Sequence, residues 1–346
     1  MRQFKLYLFL PFVLSLIFFS CRQEGSVRHI KLAHTHDINH PVHEGIVFMA
    51  KRLHEISGGK MQVDIYTNQQ LGTEREVVEL LQIGSIGMTK VSAATMENFV
   101  PEFKVFGLPY LFSSQEHQFE VLDGEIGQNM LLQAEKFRLR GLCFYDAGSR
   151  SFYTKDKPIR TPDDLRGLKI RVMESNTSIN MVKALGGSPT PIAYGELYTA
   201  LQQGVVDGAE NNAPSLFSSR HYEICKYYSL DEHTSLPDLL IISTVVWNSL
   251  DEQEKNWLNQ AIQESIPYQR EVWAKSVEES LEFMKKEGLQ IIYPDKSKFS
   301  ERVEFLHESF KAFPDLYEII EKIKELDPEK KSSELSVKKE NPIPLS

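Results

Sequence analysis

The sequence predicts an α/β protein in two lobes, each a mainly parallel sheet flanked by helices. Three observations carry that reading. Short apolar segments alternate with amphipathic ones, the pattern of strand–helix–strand crossovers. The alternation restarts after Gly148. The chain has 346 residues, more than one hydrophobic core usually organises.

The elements follow in order. Arg2 and Lys5 precede an almost unbroken apolar run over 6–19, and then Ser20-Cys21 leads into polar residues. That layout is an export signal, and the run is too short for a comfortable membrane span. Residues 1–20 are read as a lipoprotein signal peptide and Cys21 as the lipidated residue. A plain cleaved signal is the alternative. Removing the leader leaves 326 residues and moves the formal charge from −9 to −11. The acidic balance argues against a nucleic-acid partner. No later segment approaches a membrane span, so membrane attachment is expected only through Cys21.

Residues 30–33 form a short apolar strand, and 40–56 carries Ile46, Val47, Ala50 and Leu53 at helical spacing before a Ser-Gly-Gly stop. Alternation over 61–66 predicts a strand. Thr73 and Glu76 set up a capping box for a helix over 73–81, and 86–91 is a further strand. After Gly148, Thr161-Pro162 starts a helical turn, 168–172 is a strand, 175–185 and 195–203 are helices, and 205–209 is a strand. Residues 251–286 form one very long helix, able to run across both lobes, which Pro267 kinks or divides. The lobes are expected at 27–148 plus 237–276 and at 149–236 plus 277–326, with 327–346 a disordered polar tail. Cys143 falls in an apolar strand and Cys225 near a helix end, so two buried thiols are expected rather than a bridge. No CxxC spacing supplies a zinc site.

The chemistry concentrates in 148–210. It contains GSRSFYT at 148–154, TPDDLRGLKIRVMES at 161–175 and GVVDGAEN at 204–211. Arg150 and Arg171 stand where strands meet turns, the place where open α/β sheets put ligand contacts. A guanidinium fork matches a carboxylate. These three segments, with QLGTERE at 70–76, TKVSA at 89–93, LAHT at 32–35 and HPVH at 40–43, resemble the solute-binding proteins of TRAP transporters, the DctP family. The resemblance runs from about 27 to 326.

The resemblance implies a two-lobed, periplasmic-binding-protein-like fold with a long helix spanning both lobes. It implies that Arg171 makes the main ion pair with a ligand carboxylate, aided by Arg150 and Asn211. Asp207, Gly208 and Glu210 of the same motif are expected to shape the turn. Glu74 matches an acid that binds ligand hydroxyls in some members, although an acid at a helix start is also favourable with the dipole. Lys90 lies in an apolar strand, where it must reach a partner. Contact with the pocket and blunting of an edge strand are the two readings. Sialic-acid-binding relatives carry an apolar residue in place of Lys90 and an acid in place of Ser92, which argues against that ligand. His34 follows the first strand at a polar contact position. Tyr194 matches an aromatic wall position, with core packing an equal reading.

His34, His36, His40 and His43 crowd one loop, but their spacing is not a recognised metal set. No cofactor is expected, and the sequence carries no GxSxG, HExxH or P-loop motif. The expected function is capture of an organic acid, best a hexuronate or related sugar acid, and its delivery in the periplasm to a TRAP permease. The rival reading is an exported lyase or hydrolase acting on acidic sugars, with His34 or Lys90 as base.

Overall fold

The computed structural model describes residues 27–328. The leader, Cys21 and all but the first two residues of the 327–346 tail lie outside the described residues. Two sheets organise the chain. The first contains β1 (Arg28–Ala33), β2 (Met61–Tyr66), β3 (Met88–Ser92), β4 (Leu139–Tyr145) and β10 (Asp238–Ser243), in the order β2-β1-β3-β10-β4. The second contains β5 (Ser149–Thr154), β6 (Lys169–Val172), β7 (Ser188–Pro191), β8 (Gly208–Asn211), β9 (Tyr227–Ser235) and β11 (Gln290–Ile292), in the order β11-β9-β5-β8-β6-β7. In each sheet all strands but one share a direction. The reversed strands are β10 in the first and β5 in the second.

Those reversed strands are the ones that arrive from the other sheet. β4 passes through Asp146-Ala147-Gly148 into β5, and β9 passes through Leu236-Pro237 into β10. Asp238 pairs with Tyr145 and Ser149 with Ser235. The two crossings therefore run side by side as a narrow antiparallel ribbon joining the sheets.

Gly148 has φ +57, and a Cβ there would lie 3.0 Å from Trp273 Nε1. Both the turn and the approach of the long helix require glycine at this point. The buried Gln269 side chain grips the same crossing: its Oε1 accepts from Asp146 N at 2.8 Å and its Nε2 donates to Asp146 O at 2.8 Å.

Strand composition explains the layering. β10 is buried along its whole length. Leu239 and Ile241 pack on one face with Val91 and Phe144, and Leu240 and Ile242 on the other with Ile30 and Met88. This is the period-2 alternation of a strand covered on both sides. In the second sheet Phe152, Ile170 and Val172 face one core and Tyr153, Ala209 and Tyr228 the other.

The helix Glu252–Lys286 is 35 residues long, roughly 50 Å at ~1.5 Å per residue, and continues through Pro267 undivided. Leu258, Ile262 and Trp273 pack on the first sheet, and Met284 packs with the second. One boundary expectation is corrected. Helix Pro314–Glu325, assigned by sequence to the second lobe, buries Ile320 and Ile323 against Phe103, Val121 and Leu122 in the core of the first sheet. Its apolar stripe covers helices that the first sheet would otherwise leave open. Cys143 and Cys225 are both buried and unpaired, and they lie in separate cores. Among the described residues no helix is long and apolar enough to cross a membrane.

Candidate ligand-binding site

A cavity opens between the sheets, lined by residues of both, the kind of cleft in which small-molecule sites are usually found. Ala147, Leu236 and Asp238 from the crossing ribbon form part of its wall. Strand ends and the turns after them supply most of the rest, because the backbone there leaves the sheet and frees side chains to point inward.

The second sheet contributes Arg150, Arg171 and Asn211. The two arginines are held differently. Arg150, 8% exposed, is spent on the protein. Its Nε and Nη2 donate to the Glu210 carboxylate, Nη2 also to Glu210 O at 2.8 Å, and Nη1 to Asn211 Oδ1 at 2.7 Å. Burial works against its charge, but Glu210 outweighs burial and holds its pKa above the ordinary value. Glu210 is buried as well, yet Arg150 and His233 pull its pKa down to about 2. Behind it, His233 Nδ1 lies 2.8 Å from Asp231 Oδ2. Burial opposes the His233 charge, and Asp231 and Glu210 overcome it, raising its pKa to about 9. Arg150, Glu210, His233 and Asp231 thus form a neutral buried network. Glu210, expected only to shape a turn, is the counter-ion of Arg150.

Arg171 is 2% exposed and makes one hydrogen bond, from Nε to Ile192 O at 2.9 Å. Among the described residues no carboxylate lies within ion-pair distance of it, and neither Nη group has a hydrogen-bond partner. Burial, the largest influence, pushes its pKa below the usual value. Its guanidinium carbon stands 5.9 Å from the Tyr194 ring centre. Asn211 Oδ1 accepts from Arg150 Nη1 and from Asn212 N at 2.9 Å. Two donors facing that oxygen fix the amide orientation, so Nδ2 is left for the cavity. This wall therefore presents donors and one uncompensated positive charge.

The first sheet supplies a wall of opposite character. Lys90, 2% exposed, lies on β3, an interior strand between β1 and β10, so the edge-strand reading is wrong. Its Nζ donates to Glu74 Oε1 at 2.8 Å and Asp238 Oδ1 at 3.3 Å. Burial opposes its charge, but Asp238 and Glu74 prevail and raise its pKa. Glu74 opens the helix Glu74–Gln82 behind the expected Thr73–Glu76 capping box, and its Oε2 accepts from Thr95 Oγ1 at 2.8 Å.

Tyr194 spans the two walls. Its hydroxyl meets Ser219 Oγ at 2.5 Å and Ser215 O at 3.4 Å, and its ring meets His36 edge-on at 5.6 Å. Of the histidines, His36 lines the cavity. His34 sits behind it, buried, with Nε2 3.0 Å from His43 Nδ1. His36 stacks on His40 at 3.8 Å, and neither of its ring nitrogens has a partner. Burial first, then Lys90, lowers its pKa well below the ordinary value, so the ring is neutral.

Six of the seven expected contact residues (Arg150, Arg171, Asn211, Glu74, Lys90 and Tyr194) line the one cavity, and His34 does not. Asp238, His36 and Gln69 were missed. Asp238 carried a signal, a lone acid opening an apolar run at 238–242. Among the described residues no cluster of acids, histidines and cysteines has metal-binding geometry.

Comparison with known proteins shows the family. The profile of the bacterial extracellular solute-binding proteins, family 7 (DctP), matches residues 32–312. An uncharacterized Salmonella typhimurium protein, YiiZ, is 38% identical over 85% of this chain and 90% of its own. A TRAP periplasmic solute-binding protein from Bradyrhizobium, crystallised with D-galacturonate, is 37% identical with a TM-score of 0.84, covering 86% of this chain and 100% of the other. One from Anaerococcus prevotii, with D-glucuronate bound, is 36% identical with a TM-score of 0.84, covering 86% and 98%. These crystallised neighbours are substrate-binding proteins of transporters rather than enzymes, and the lyase or hydrolase reading is not favoured. The chain belongs to the DctP family of extracytoplasmic solute-binding proteins and is a binding component of TRAP transport.

Proposed function

We propose that this protein captures a hexuronate, of the D-glucuronate or D-galacturonate class, and hands it to a TRAP permease. The observation that carries the reading is Arg171, a buried guanidinium without a carboxylate. A buried unpaired cation is costly, and a ligand carboxylate removes that cost. The Nη groups of Arg171 and the Nδ2 of Asn211 receive the carboxylate, with Arg150 held behind them by Glu210. The ring hydroxyls then face Lys90, Glu74 and Asp238. Hexuronates bound in similar structures support this choice of ligand.

Each sheet with its helices is a lobe in this proposal, and the paired crossings at 146–148 and 236–237 are the hinge. Ligand contacts both walls and so favours the closed form. We also place the protein outside the cytoplasm on a lipid attached to Cys21, a reading that rests on the leader sequence.

The test is calorimetry and thermal melting of the protein, lacking residues 1–20, with D-glucuronate and D-galacturonate. Binding raises the melting temperature by mass action, by about 2.7 kcal/mol of stability at a hundred times Kd. Stabilisation and stoichiometric binding without turnover are expected. A shift with some other acid and none with either hexuronate would overturn the ligand assignment.

A further inference from the structure

The inference rests on the cavity being a sugar-acid site. We propose that the Lys90–Glu74–Asp238 cluster is a charge filter. It admits polyhydroxy acids with one carboxylate and rejects those with a second carboxylate at the far end.

The charges support this. One ammonium faces two carboxylates at 2.8 and 3.3 Å, so the cluster carries a net charge of −1. The Arg150–Glu210 and His233–Asp231 pairs cancel on the other wall. Arg171 alone gives that wall +1. Arg75 and Glu174 at the mouth are exposed, where solvent and salt screen them, and Arg75 is paired with Glu79 at 3.3 Å. The cavity is thus positive at one end and negative at the other. A monoanion fits it in a single orientation, carboxylate to Arg171.

The free polar atoms at the negative end match hydroxyls. Lys90 Nζ has three hydrogens and two acceptors, so one hydrogen is left. His36 Nε2 stands 3.8 Å from Asp238 Oδ2, too far for a hydrogen bond. His36 is 7% exposed, lines the cavity, and has no partner on either ring nitrogen. As a neutral imidazole it has one donor and one acceptor. A sugar hydroxyl, which both donates and accepts, satisfies His36 and Asp238 together. A carboxylate only accepts. It would also bring a like charge beside Glu74 and Asp238 in a confined site, where such juxtaposition is disfavoured.

The test uses two ligand pairs that share chain length and stereochemistry and differ only in a terminal CH₂OH or COO⁻. These are D-gluconate with D-glucarate, and D-erythronate with meso-tartrate, measured by calorimetry at neutral pH beside D-glucuronate. In each pair the monoacid is expected to bind about ten- to a hundredfold more tightly. Glu74→Gln neutralises the cluster with little change of shape and should shrink that ratio about tenfold. Asp238→Asn should do the same from the other carboxylate and covers the case in which E74Q folds poorly. Diacids binding as well as monoacids in the unmodified protein would overturn the filter, as would an unchanged ratio in both folded variants. Tight hexuronate binding without a monoacid preference sinks the filter and spares the hexuronate reading. A monoacid preference without hexuronate binding does the reverse. If no polyhydroxy acid binds, both fall.

Discussion

The two walls of the cavity are built from the same materials and end with opposite charge. The first buries one long cation on an interior strand and the second buries two. On the first sheet Lys90 is given two carboxylates. On the second, Arg150 is given one and Arg171 none. The pKa directions follow. Partners hold Lys90 and Arg150 above their ordinary values despite burial, whereas burial, with Arg150 beside it, prevails at Arg171. Burial of a charge is therefore not what sets Arg171 apart, since all three are buried. What sets it apart is a charge whose counter-ion the protein does not supply.

Breaking the pairs should sharpen this contrast. The largest effect is expected from Glu210→Gln, which leaves Arg150 as unpaired as Arg171. Removing one partner of a buried pair costs about 3–5 kcal/mol, read as a fall in chemical-denaturation stability. The same pair predicts an acid limb. The Glu210 pKa is held near 2 against an ordinary 4.5, so its contribution is complete above about pH 4.5 and is lost as pH falls through about 2. Stability of the unmodified protein should decline across that window, and E210Q should lack this part of the decline.

Lys90→Met comes next. It leaves Glu74 and Asp238 facing one another without their cation and should cost about 2–4 kcal/mol of stability. An unchanged denaturation midpoint would show that the first wall does not depend on its lysine. The smallest effect is expected from Tyr194→Phe, whose hydroxyl is already taken up by Ser219 and Ser215. The ring wall stays, so hexuronate Kd should change less than about threefold and stability by about 1 kcal/mol. A large loss of affinity would mean that the hydroxyl, not the ring, meets the ligand.

Much of the cavity was legible in the sequence where a residue broke its local pattern. Lys90 stands out in an apolar strand, and the arginines stand at strand ends. What was hidden depended on register and packing. Asp238 reaches Lys90 because β10 runs antiparallel beside β3, pairing Asp238 with Ser92 and Leu240 with Lys90. No local pattern in 238–243 reveals that neighbour. Four histidines in one loop look interchangeable, yet a contact to His43 turns His34 away, and a stack on His40 holds His36 in the wall. Glu210 seemed a turn residue because its partner lies 60 positions away. The fold was more accessible, since alternation and caps are local. The helix through Pro267 was undecided between kink and break, and its packing on both sheets accompanies a continuous course. Helix Pro314–Glu325 went astray because chain order does not say which core an amphipathic stripe will cover.

The central claim is that Arg171 is a buried cation kept without a counter-ion for a ligand carboxylate. Arg171→Met tests it most directly, because two readouts should move in opposite senses. In the unliganded protein the melting temperature should hold or rise, since an apolar side chain of similar length removes an uncompensated charge. The stabilisation by D-glucuronate should vanish, with affinity falling by about 2–5 kcal/mol. A variant that melts well below the unmodified protein and still gains the full glucuronate shift would contradict the account.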